Sequence, residues 1–251
     1  MRTRSIRRIA LLALLATAAF ALTGCFAFKR VDSTSPESRT VTKTIPVDGT
    51  AELDARFTMP LGVLTVDGDT TDLAEMTFSS TNPEWLPVVE SAQSEGASGT
   101  VTTIEVAVPR ELNFLRGTRD YEWAVHLSKD VPSSLRFELG AGESTIDLSE
   151  IDVRDLRVTT GLGESKIDLS GPRTHDVNAK VECGIGELTL LVPADVGVQI
   201  SGRQEGIGNL SADGFTMNGN QLTNAAWGTS PVKMYIALTR GVGDVRIETI
   251  D

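Results

Sequence analysis

Five Gly-x-Gly turns recur along the second half of the chain, and their spacing restricts the possible folds more than any other feature. They read GAGES at Gly140 and Gly142, GLGES at Gly161 and Gly163, GIGEL at Gly184 and Gly186, GIGNL at Gly206 and Gly208, and GVGDV at Gly241 and Gly243. Between first glycines the intervals are 21, 23 and 22 residues, and the last is 35. Two consecutive units are nearly the same, GAGESTIDLS and GLGESKIDLS. A fixed period in this range marks a stacked repeat architecture, in which each unit buries its apolar side only against its neighbours.

Between the turns, apolar and polar residues alternate with period two. The segments VTKTIPV, TVTTIEVAV, STIDL, LRVTT, SKIDL, ELTLLV and VRIETI are rich in Val, Ile, Thr and Leu, which is the pattern of half-buried strands. No stretch beyond the N-terminal leader has helical periodicity. The expected fold is all-β, a single-domain β-solenoid or parallel β-helix-like stack of roughly 22-residue coils. Each coil holds two short strands, 144–148 then 156–160, and 166–169 then 177–181. Ile146, Leu148, Leu156, Val158, Ile167, Leu169, Val177 and Val181 point into a common core. A coil of that length measures about 70 Å round, and coils stack about 4.8 Å apart. Glycine suits a corner between two strands, where positive φ costs it little and no side chain obstructs the coil above. An upstream echo, MPLGVLTVDGD at 59–69, reads as an earlier rung. Residues 40–135, with Trp85, Tyr121 and Trp123 as core, are expected to cap the array at 136–251, because solenoid ends need atypical units.

The chain opens MRTRSIRRIALLALLATAAFALTGC, four arginines followed by an apolar run over 9–22 and then small residues. This is the layout of a secretory signal peptide, and the run is shorter than the roughly 20 residues of a spanning helix. Leu22-Thr23-Gly24-Cys25 resembles the lipobox of bacterial lipoproteins, which implies cleavage after residue 24 and acylation of Cys25. Two or three acyl chains anchor a soluble domain stably, at about 0.8 kcal/mol per buried methylene. Residues 25–39, short, polar and Ser-rich, read as a flexible tether. With Cys25 acylated, Cys183 has no intramolecular partner, and its strand-like setting marks it as a small buried hydrophobe. Removing residues 1–24 takes away Arg2, Arg4, Arg7 and Arg8 and no acid, moving the net charge from −11 to −15. Such a surface repels nucleic acid.

NPEWLPVVE, DYEWAVHLSKDVPSSLRFELGAGESTIDLS, GIGELTLLVPADVGVQI and the final GVGDVRI resemble, in that order, the toast-rack domain of bacterial envelope proteins, and are similar to candidate-adhesin domains of β-helical build. The resemblance covers roughly 51–251. It implies an all-β, solenoid-like fold without established catalytic residues or cofactors, and a place in the cell envelope with envelope proteins as partners. Some relatives are extracytoplasmic portions of membrane proteins that modulate envelope-stress signalling; this chain departs from them in having a lipid anchor in place of transmembrane helices.

Three chemistries are weighed on the residues. A dinucleotide loop at Gly140-Ala141-Gly142 would need a third glycine, a following helix and an acid about 20 positions later, whereas strand-like STIDL follows. Glu143, Glu164, Glu187, Asn209 and Asp244 occupy equivalent places after each turn. In register, such carboxylates line up near 5 Å apart, and calcium takes several oxygen ligands of this kind. Glu143, Glu164, Glu187 and Asp244 are therefore the metal candidates, set against plain solvation or turn hydrogen bonding. His126 and His175, the only histidines, stand apart, and no HExxH or GxSxG occurs, so no catalytic residue is assigned. Arg154, Arg157, Lys166 and Arg173 near acids read as a solvated face. The resulting expectation is a lipid-anchored, extracytoplasmic, non-enzymatic binding, sensing or scaffold module. The alternative is a calcium-stabilised, adhesin-like structural surface protein.

Overall fold

The alternating segments form strands throughout the computed structural model, which describes residues 38–109, 121–202 and 206–251. In chain order they are β1 (Arg39–Ile45), β2 (Thr50–Asp67), β3 (Ala74–Ser80), β4 (Val88–Gly96), β5 (Gly99–Ala107), β6 (Tyr121–Leu127), β7 (Ser133–Asp147), β8 (Val153–Asp168), β9 (Val177–Pro193), β10 (Gly197–Ser201), β11 (Leu210–Ala212), β12 (Phe215–Asn218), β13 (Gln221–Asn224), β14 (Lys233–Val242) and β15 (Val245–Ile250). Two short 3₁₀ turns, Pro83–Trp85 and Ala225–Gly228, are the only helical elements among the described residues. The signal segment, Cys25 and the tether up to residue 37 lie outside the described residues. Arg39, assigned above to the tether, is the first residue of β1.

All strands join one open sheet whose spine is parallel: β2 pairs with β7, β7 with β8, and β8 with β9. The register aligns Gly62, Gly142, Gly163 and Gly186 on successive strands. The echo at 59–69 is thus in line with the repeats, as part of β2. The sequence reading requires one correction here. The Gly-x-Gly pairs do not separate short strands; they lie inside long ones, and the chain leaves the sheet at 148–152 and 169–176.

Burial explains how a strand can pass through such a pair. In β8, beyond the irregularity that follows buried Val153, the buried residues are Leu156 and Val158 before the glycines and Ser165 and Ile167 after them, so the inward parity shifts by one across the pair. The same shift separates Leu135 and Phe137 from Ser144 and Ile146 in β7. A strand of uniform alternation would turn its second half outward. The positive φ of the second glycine, +134° at Gly142 and +127° at Gly163, resets the alternation, and both halves face one core. All eight core residues expected from the repeats are buried.

The half-turn IDLS has a local cause. Asp147 Oδ1 accepts the Ser149 N–H at 3.0 Å and Asp168 Oδ1 the Ser170 N–H at 2.9 Å. Asp67 Oδ1 does the same for Asp69 at 3.0 Å. These Asx turns end each strand. Arg173 then spans two connections, donating to Ile151 O at 2.6 Å and Leu148 O at 2.8 Å. Burial pulls its pKa below the usual arginine value, against the opposing pull of Asp152 and Asp168.

Beyond β9, order in space departs from order in sequence. β9 pairs with β14 and β15, while β10 pairs with β14 and β11 with β15 on their far side. Partners are 21 residues apart from Gly142 to Gly163 and 23 from Gly163 to Gly186, but Ile185 pairs with Val242. The 22-residue step therefore holds over two intervals only, and Gly208 stacks on Gly243 rather than on Gly186. Strand length accounts for this. β9 is 17 residues long and needs a long partner, which the 10 and 6 residues of β14 and β15 supply. β10, of 5 residues, carries the sheet on to the short antiparallel strands β13 and β12. β11, of 3, pairs among the described residues with β15 alone; short strands at an edge discourage further pairing.

At the other end, β6, β3 and β1 continue the sheet beside β2, and β5 and β4 extend it along the first half of β2. Trp85, Tyr121 and Trp123 are buried, as expected of a cap core. Their rings meet edge to face at 5.8 and 5.9 Å, a favoured geometry. Burial in this cluster raises the Tyr121 pKa.

Candidate functional site

Two rows of side chains run across the parallel spine, one on each half of the bent strands. The first follows the glycine corner. A Cβ on Gly163 would fall 1.8 Å from Gly142 O, and one on Gly186 1.7 Å from Gly163 O. The neighbouring strand's backbone, rather than a ligand, occupies the space that glycine leaves, and this settles the corner as architecture. The residues between the glycines are apolar and exposed: Leu162, Ile185, Val242 and Ile207 form a row on the outer surface.

The acids follow immediately. Glu143, Glu164 and Glu187 are aligned on β7, β8 and β9, all exposed. Unscreened charges at strand spacing repel by about 0.9 kcal/mol per neighbour in water. Lys166 lies beside them in a shallow cleft of about 170 Å³. Asp244 comes next and is not equivalent to the other three. Its Oδ1 accepts the Asn209 N–H at 2.8 Å, with the Asn209 amide at 3.3 Å. These hydrogen bonds hold its carboxyl below the usual carboxylate range. Among the described residues, no group of three or more His, Cys, Asp or Glu side chains is arranged to hold a metal ion.

The second row lies on the first half of the strands, and of its members only Arg157 belongs to the solvated face expected from sequence. Arg56, Arg136, Arg157 and Lys180 are aligned on β2, β7, β8 and β9. Each stands six residues before the second glycine of its unit, and that constant offset is the signal that reveals the row. Arg56 meets Glu138 at 2.6 Å, and Lys180 meets Glu182 at 2.8 Å. The Lys180 hydrogen bond, more than the charge of Arg157, holds the Glu182 carboxyl below its usual range. Arg136 and Arg157 have no ion pair among the described residues, and Arg136 Nε is shielded from water without an acceptor. A cleft of about 420 Å³ flanks the row on the side of Ser134, Asp155 and Asn178; another of about 560 Å³ flanks it on the side of Glu138 and Glu182.

The histidines are tied to aspartates. His126 Nδ1 is 2.6 Å from Asp67 Oδ1, and His175 Nε2 hydrogen-bonds Asp152 Oδ1. Neither lines the two clefts beside the basic row. Cys183 is free and buried.

With this geometry in view, residues 33–191 match the model of the N-terminal domain of toast_rack, DUF2154. The chain belongs to the toast-rack family. No curated protein matches it in sequence. Among solved structures, a candidate cell-adhesion protein from Clostridium sporogenes is 26% identical over 85% of this chain and 100% of its own, with a TM-score of 0.74. A candidate adhesin from Bacteroides fragilis is 11% identical over 85% of this chain and 99% of its own, with a TM-score of 0.32. The toast-rack match spans the cap and the spine through β8 and most of β9, so it includes both rows up to Glu187.

Proposed function

We propose that this toast-rack protein is an exported, lipid-anchored binding module without catalytic activity, held on the extracytoplasmic face of a bacterial membrane through acyl chains on Cys25. Its body presents the flat strand faces of a largely parallel spine to other envelope components. The observation that carries this reading is the match to the Clostridium sporogenes candidate cell-adhesion protein over that protein's whole length. The leader and the Leu22–Cys25 motif support the anchor, and the exposed apolar row beside the corner offers contact surface. The test pairs Cys25→Ala with in-cell crosslinking. The variant should leave the membrane fraction and lose its acyl chains, and the native protein should capture defined envelope partners. A variant that stays acylated in the membrane pellet removes the anchor from the proposal, and absence of any specific capture removes the binding role.

A second reading, a calcium-stabilised adhesin-like structural protein, draws support from the alignment of Glu143, Glu164 and Glu187. Calcium should then raise Tm and promote attachment to surfaces, and a chelator should reverse both. No heat of binding and no shift in Tm would end it.

A further inference from the structure

The basic row has an asymmetry that internal ion pairing leaves over. Glu138 and Glu182 pair with its two ends, Arg56 and Lys180, while Arg136 and Arg157 in the middle make no ion pair among the described residues, Arg157 feeling Glu182 only at longer range. What these two guanidiniums can offer an outside acceptor is their terminal N–H groups, which no carboxylate among the described residues pairs with. Both arginines line the 420 Å³ cleft together with Ser134, Asp155 and Asn178. On the next strand Asn178 pairs with Tyr235, whose ring is 41% exposed and braced edge-on by Trp227 at 5.7 Å. The 560 Å³ cleft on the other side shares Arg157 and Lys180, so the two clefts form one basin divided by the basic row.

We infer that this basin binds an acidic glycan. A carboxylate or phosphate of the glycan sits between the Arg136 and Arg157 guanidiniums, whose planar forks match either group with two parallel hydrogen bonds. Sugar hydroxyls donate to Asp155 and exchange hydrogen bonds with Ser134 and Asn178, and a sugar ring lies on Tyr235. Both cleft volumes fall within the range of small-molecule sites. The flanking acids select among polyanions. Asp54 and Asp155 line one side of the row and Glu138 and Glu182 the other. A uniformly charged strand such as nucleic acid is repelled on both sides, whereas a chain carrying hydroxyls beside each anion gives those carboxylates donors. This inference rests on the binding-module reading and names its ligand class.

The test titrates the full acylated chain, in detergent micelles, with oligogalacturonate, a phosphomannan and neutral dextran by calorimetry. One or both anionic polymers should bind saturably and dextran should not; which of them binds tells carboxylate from phosphate. Arg157→Gln should weaken binding about tenfold, the loss of one charge-assisted contact. Tyr235→Ala should weaken it severalfold, and Lys166→Gln, which removes the same charge from the other half of β8, should change it by less than about twofold. Binding of neither anionic polymer, equal binding of dextran, or equal weakening by Lys166→Gln overturns the inference. If the polymers fail to bind while crosslinking still captures envelope partners, the ligand class is wrong and the module reading stands. If both fail, both are wrong.

Discussion

Replacing Gly163 by alanine tests the central claim about the corner, that glycine is there for its neighbour's backbone. Two costs add. Alanine at φ +127° sits in a region that costs an L-residue about 1–2 kcal/mol. Its Cβ would also lie 1.8 Å from Gly142 O, about half of an ordinary non-bonded contact of about 3.5–4.0 Å. Relief requires β7 and β8 to part locally by more than an ångström, which lengthens the backbone hydrogen bonds on either side beyond use. Two such bonds at about 1 kcal/mol each bring the total to about 3–4 kcal/mol, a large share of the stability of an ordinary domain. Gly49 is the control. It also has positive φ, +73°, but nothing lies within 4 Å of its Cβ position, so Gly49→Ala incurs the conformational cost alone, about 1–2 kcal/mol. Urea unfolding followed by tryptophan fluorescence compares the two variants. Gly163→Ala falling within about 1 kcal/mol of Gly49→Ala would refute the steric account of the corner.

Three further outcomes are expected. Ser144 Oγ donates to Ser165 Oγ at 2.8 Å, and both are buried; Ser165→Ala should cost about 1–3 kcal/mol, and the double alanine variant less than the sum, as read from a double-mutant cycle. Glu164→Gln relieves repulsion from both Glu143 and Glu187 and should raise Tm by roughly 2–4 °C at low salt, with the gain vanishing in 1 M salt; a lower Tm that calcium reverses in the native protein would instead favour the calcium reading. Asp244, whose folded pKa is depressed by Asn209, contributes stability that is present above the unfolded value near pH 3.9 and lost as pH falls through the folded value. Asp244→Asn should therefore flatten the acid limb of the Tm–pH curve below about pH 4, and an unchanged limb would show that the hydrogen bond does not matter.

Period and alternation made the all-β class, the core of the repeats and the alignment of the Gly-x-Gly units legible in sequence. Ile146, Ile167 and Leu190 show why, since each is inward on its own strand by local parity and needs no knowledge of distant contacts. Strand boundaries were not legible. A glycine pair reads as a break, and only the neighbouring strand's hydrogen bonds show that β7, β8 and β9 continue through it. The order of the last rungs was hidden for a similar reason, because which strand pairs with β9 depends on a comparison of lengths across distant segments. The basic row was present in the letters, at one fixed offset from the glycines. It stayed unseen because Arg157 reads as ordinary beside its sequence neighbours, and only comparison with the same position in the next unit brings in Arg56, Arg136 and Lys180.

The placement of β14 and β15 between β9 and the β10–β11 edge bears on how the protein is made. A ribosome delivers β10 and β11 first, yet the surface they attach to does not exist until β14 and β15 have docked. The stack therefore does not grow in order of synthesis: β10 and β13 can pair with each other early, but they join the stack only when later segments have docked beside β9. A purified chain without the leader and truncated before residue 233 should leave β10 and β11 open to protease while β2, β7, β8 and β9 are already protected, which makes the insertion of β14 and β15 the closing step of assembly.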